Sequence, residues 1–83
     1  MCSIIDLKAA PGTQEIDLTW TPDGNSHTLE RSAGPGGPWN NPVLLTSGTS
    51  SYNDTGIPTG TSYYYRLQEA NLSCSNVAHG RAG

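Results

Sequence analysis

The chain has 83 residues, with four basic against seven acidic side chains, a net charge of -3 and a hydrophobic fraction of 34%. That length holds one domain, expected to span 1–83. No cluster of Lys and Arg offers a phosphate-tracking surface, which argues against a nucleic-acid partner. No apolar run nears the ~20 residues needed to cross a bilayer, so no membrane insertion is expected.

A chain this short buries only about 60% of the surface it exposes when unfolded, so each large apolar residue counts. There is no Phe, and two Trp and four Tyr must supply most of the bulk. Ten Gly and six Pro among many Ser, Thr and Asn read as short strands joined by tight turns. The start, "MCSIIDLKAAPG", lacks the basic and apolar regions of a secretory signal.

In chain order, "SIIDLKA" (Ser3 to Ala9) reads as a first strand closed by Pro11-Gly12. "EIDLTWT" (Glu15 to Thr21) alternates cleanly, with Ile16, Leu18 and Trp20 on one face. Pro22-Asp23-Gly24-Asn25 makes a turn before "SHTLERS" (Ser26 to Ser32), which the breakers "AGPGGP" end. "PVLLTS", "SSYND", "SYYYRLQEA" and "NVAHGRA" supply four more strands, and no stretch carries a capped helical period. About seven short strands with regular turns predict an all-β fold, a seven-stranded antiparallel β-sandwich.

The pieces "IDLTW", "TLERS" after a Pro-Asp-Gly turn, "AGPGGPW", "TSSYNDTGIPTGTSYYYRLQEAN" and the closing "SNVA" follow one another in an order that resembles the fibronectin type III family. The resemblance covers nearly the whole chain, and the "GGPW" variant is closer to bacterial and phage versions. It implies an immunoglobulin-like sandwich of fibronectin type III topology. It also implies that Tyr63 is a corner tyrosine, its hydroxyl bonded back to the preceding turn and its ring under Ile57. Alternation then points Tyr63, Tyr65 and Leu67 inward, and Tyr64 and Arg66 outward. Trp20, Ile57, Tyr63, Tyr65 and Leu67 are accordingly structural.

Two departures from the family pattern fall where inward side chains are expected: His27 in place of a tyrosine, and Glu69 in place of a small apolar residue. On antiparallel neighbours they form a possible polar pair. It is either a half-buried contact at the sandwich end or a pH-sensitive, ligand-gripping site, since a carboxylate beside an imidazole favours its protonated form. Cys2 and Cys74 fall at the same end of this fold. They are a possible disulfide, worth up to ~4 kcal/mol for a loop of ~70 residues, or two free thiols.

Cys74 and His79 lack the paired close spacing of structural zinc ligands, and His27 and His79 belong to different strands, so no metal site is expected. No nucleophile elbow or phosphate loop is present, and neither an enzymatic activity nor a cofactor is expected. Trp39, after Gly36-Gly37-Pro38, either closes over the sheet edge or binds. With the outward Tyr64 it is the binding candidate.

A sandwich of this kind acts through its surface. The leading expectation is a small bacteriophage virion protein, a capsid-decoration or tail-associated subunit made in the host cytoplasm. Its protein partner would be a repeating lattice, bound by many weak contacts. The Met start and missing signal motivate that reading. The alternatives are an adhesion or spacer module of a secreted bacterial enzyme or surface protein, extracellular as part of a larger chain, and a weak glycan-binding module. The first strand, with Ile4, Ile5 and Leu7, and the last, with Val77, are the expected free edges.

Overall fold

The computed structural model describes residues 4–69 and 75–83, and the backbone of residues 72–73. Cys2 and Cys74 lie outside the described residues.

Strands β1 (Lys8–Gly12), β2 (Glu15–Thr19) and β5 (Ser51–Thr55) form a three-stranded antiparallel sheet in the order β1-β2-β5. Strands β3 (His27–Ser32), β4 (Asn40–Leu45), β6 (Ser62–Glu69), β7 (Leu72–Ser73) and β8 (Ala78–Arg81) form the larger sheet, ordered β4-β3-β6, with β7 and β8 both paired to β6. β7 answers Gln68 and Glu69, and β8 answers Ser62 to Tyr65. The two are thus one edge strand interrupted midway, which leaves a sandwich of seven strands. Across the interruption the Leu67 N–H finds its acceptor in the Ser75 hydroxyl at 2.8 Å, so the buried backbone donor is satisfied.

Period-two alternation builds the core from both sheets. Ile16 and Leu18 of β2 meet Leu29 of β3 and Tyr65 and Leu67 of β6, all buried. Trp20, just past the end of β2, is 5% exposed. Tyr63 is partly buried against this cluster, which also holds Ile57.

The opening segment departs from expectation. Pro11 and Gly12 do not close a strand after Ala9; they belong to β1, and the turn falls at Thr13–Gln14. Proline is tolerated because β1 is an edge strand, where a missing N–H costs no ladder bond. Gln14 has φ 54°, and its backbone pins the turn: its N–H donates to Gly83 (3.0 Å) and its carbonyl accepts from Ile57 (3.0 Å). Residues ahead of β1 cross to the other sheet. Ile4 makes a parallel bridge to Ser75, and the Asn76 amide clasps both the N–H and the carbonyl of Leu7 at 3.0 Å. Ile4 and Leu7 are therefore buried, while Ile5 (84%) and Val77 (45%) stay exposed.

Gly80 of β8 faces β1 so closely that a Cβ would lie 2.6 Å from the Ile16 Cγ2 and 2.8 Å from the Ala9 Cβ. The two edge strands close on one another there because glycine has no side chain to hold them apart.

A second correction concerns the tyrosine corner. The hydroxyl that ties strands together belongs to Tyr65, which donates to Asp54 Oδ2 on β5 at 2.7 Å. Among the described residues no hydrogen bond runs from the Tyr63 hydroxyl to the turn at 57–60. The Tyr63 ring instead lies beneath the Arg31 guanidinium at 4.2 Å and meets Tyr65 edge-on at 6.5 Å.

Candidate functional site

With the odd-numbered residues of β6 turned inward, the even-numbered ones cover the outer face of the larger sheet. Register aligns them with neighbours in rows: Leu44, Thr28 and Gln68; then Glu30 and Arg66; then Ser32, Tyr64 and His79; then Ser62 and Arg81. Leu44 is 85% exposed.

Arg66 organises this face. Its Nε donates to Glu30 Oε1 at 2.9 Å, and its guanidinium lies 4.4 Å from the centre of the Trp39 ring. Such a cation–aromatic contact is worth about 0.5–1 kcal/mol at a partly exposed site. With the Gln68 amide oriented by its neighbours, its nitrogen donates to Glu30 Oε1 and its oxygen accepts from Arg66 Nη2, both at 3.0 Å. Two residues back along β6, Tyr64 stacks on His79 with ring centres 4.2 Å apart and planes 13° from parallel. Trp39 reaches the face from the β3–β4 connection, where a Cβ on Gly37 would lie 2.9 Å from its ring.

The two binding candidates of the sequence therefore share one face, Trp39 against Arg66 and Tyr64 against His79. Trp39 is half-buried against the outer surface, packing on Arg66 as a cover would while remaining accessible. The contributions of Glu30, Gln68 and His79 were not foreseen. Alternation together with the β3–β6 register was the signal that could have found the Glu30–Arg66 pair. The arrangement braces aromatic rings and a guanidinium against neighbours on the outer face, which limits the side-chain ordering that binding would otherwise cost.

A second constellation lies between the sheets, where a pocket of about 100 Å³ opens among Leu29, Arg31, Val43, Tyr52, Asp54 and Tyr65. Arg31 Nη1 and the Tyr65 hydroxyl both donate to Asp54 Oδ2, at 2.9 and 2.7 Å. Burial, then the bond to Asp54, pushes the Tyr65 phenol well above its ordinary range. Burial disfavours the Arg31 charge, but Asp54 outweighs it and raises the Arg31 pKa. These groups satisfy one another and read as a half-buried polar tie.

The third constellation is at the end of the sandwich. The Thr28–Gln68 register brings His27 and Glu69 into line, and Asp23 joins them from the preceding turn. His27 Nε2 lies 3.2 Å from Asp23 Oδ1, and one ligand atom from each of the three residues lies within 4.8 Å of the others.

No family model matches the chain, and no curated protein matches it by sequence. Among solved structures it is similar to a fibronectin-type-III-like protein from Clostridium thermocellum at 30% identity, over 96% of this chain and 91% of that one, with a TM-score of 0.76. It is also similar to the FN5 domain of Drosophila Lar, at 20% identity over 99% and 98% of the two chains and a TM-score of 0.62. It superposes as well on part of a β-1,2-glucanase from Parabacteroides distasonis, at 23% identity over 98% of this chain and 12% of that one, with a TM-score of 0.64. The last two likenesses concern the fold. On the identity and coverage of the clostridial structure, the chain belongs to the fibronectin type III family.

Proposed function

We propose that the domain is a non-catalytic docking module that binds a protein partner with the outer face of its larger sheet, and that this partner is a repeating surface of the virion-lattice kind. The supporting observation is the pair of stacks, Trp39 on Arg66 and Tyr64 on His79, set side by side on one outer face. Trp, Tyr and Arg are the residue types that concentrate binding energy at protein interfaces, and the exposed Leu44 extends the apolar part of the face. A face of this size supplies modest affinity per copy, and a repeating partner adds the copies.

Co-sedimentation with assembled phage particles from the source tests the reading. The domain is expected to pellet with the particles, and the double substitution Trp39→Ala, Tyr64→Ala to lower the bound fraction at least ten-fold, the loss of roughly 1.4 kcal/mol or more. Undiminished binding by the double variant, or binding to a glycan array in place of particles, would contradict it.

A further inference from the structure

We infer that Asp23, His27 and Glu69 form a binding site for a single divalent transition-metal ion, with zinc the best match, at the end of the sandwich away from the docking face. Three observations converge there. One imidazole nitrogen and two carboxylate oxygens from separate elements lie within 4.8 Å of one another. His27 is buried to 4% exposure and fixed as the first residue of β3, with Nε2 directed at Asp23 Oδ1. Glu69 Oε2 is sealed from solvent without a hydrogen-bond partner among the described residues. A buried carboxylate oxygen lacking a donor is the acceptor that a cation would satisfy.

The donor set selects the metal. Two carboxylates and a neutral imidazole carry two negative charges, which a divalent ion balances. Three protein ligands including a nitrogen suit zinc, whereas calcium takes six to eight oxygens and magnesium keeps a near-octahedral oxygen shell. Zinc–nitrogen and zinc–oxygen bonds of about 2.0–2.1 Å place tetrahedral ligand atoms about 3.3 Å apart. His27 Nε2 and Asp23 Oδ1 are already 3.2 Å apart, so the main adjustment is an approach by Glu69. The imidazole binds through Nε2 and then carries its one proton on Nδ1. Asp23 is on the exposed β2–β3 turn, held by the Asn25 N–H donating to its Oδ1 at 3.1 Å, and this side leaves the fourth position to water.

The test is calorimetric titration of zinc chloride into the folded domain after its thiols are blocked with iodoacetamide, followed by thermal unfolding with and without zinc. One-to-one binding and a raised melting temperature are expected. Glu69→Gln and Asp23→Asn, each shown to be folded by circular dichroism, should weaken binding about ten-fold or more. Asp23 is exposed, so its variant remains informative if the Glu69 variant fails to fold. Absence of both binding heat and melting shift at excess zinc, or binding unchanged in the folded variants, would overturn the assignment.

Discussion

Trp20→Ala is expected to lower the unfolding free energy by about 3–5 kcal/mol, the usual cost of emptying a large aromatic site. Trp20 is 5% exposed and belongs to the buried core cluster, and its backbone N–H donates to the Ser50 carbonyl at 3.0 Å. Domains of this size hold roughly 5–15 kcal/mol in total, usually toward the lower end. Each kcal/mol lost shifts the melting temperature by about 4–8 °C, so the variant should melt tens of degrees lower. Trp20→Phe should behave differently. The indole Nε1 is buried without a hydrogen-bond partner among the described residues, and an unsatisfied buried donor costs about 1–3 kcal/mol. Phenylalanine removes that penalty while keeping most of the ring, and a net loss below about 1.5 kcal/mol is expected. A Trp20→Phe loss in urea unfolding well above about 1.5 kcal/mol would show that relief of the Nε1 group offsets nothing.

The second large effect appears in alkali. Burial, first, and the bond to Asp54 raise the Tyr65 pKa above the value of about 10 that a tyrosine has in the unfolded chain. The stabilisation of the neutral phenol is therefore complete below pH ~10 and is lost as pH rises beyond it, because the unfolded chain gives up a proton that the folded chain retains. Linkage sets the slope for this one group at about 1.4 kcal/mol per pH unit. Urea unfolding between pH 8 and 11.5 should show that decline, and Tyr65→Phe should remove this component. At neutral pH the same variant should lose only about 0.5–1.5 kcal/mol, since Asp54 keeps Arg31 as a partner at 2.9 Å. Parallel pH profiles for the two proteins would contradict the placement of the phenol.

Much of this architecture was legible in the sequence because period two leaves a local trace. "EIDLTW" announces its buried face in six residues, and "SYYYRL" divides its tyrosines before any partner is known. Pro11-Gly12 looks like punctuation in the sequence, and only the edge position of β1 makes proline acceptable within the strand. The family resemblance points the hydroxyl tie to Tyr63, whereas Asp54, the acceptor, sits across the sandwich from Tyr65. That pairing depends on how the two sheets are stacked, which alternation within one strand does not encode.

The same distinction separates the legible and illegible parts of the candidate sites. Trp39 and Tyr64 stood out as aromatic residues with a claim to the surface. Their supports, Arg66 and His79, emerge only when the β3–β4 connection folds over the sheet and β8 takes its register against β6. At the sandwich end, His27 and Glu69 were paired from strand order alone. Asp23 looks like turn chemistry in the sequence, and its approach to His27 goes with the bend at Gly24, where φ is 89°.

The central claim, that the outer face of the larger sheet is the docking surface, is tested most directly by site-specific photo-cross-linking on assembled particles. A benzophenone side chain is placed at position 64 on that face, and in a second protein at position 53, exposed on the outer face of the smaller sheet. Cross-links to one defined particle protein from position 64 and none from position 53 are the predicted result. Cross-links from position 53 alone, or equally from both, would contradict the claim.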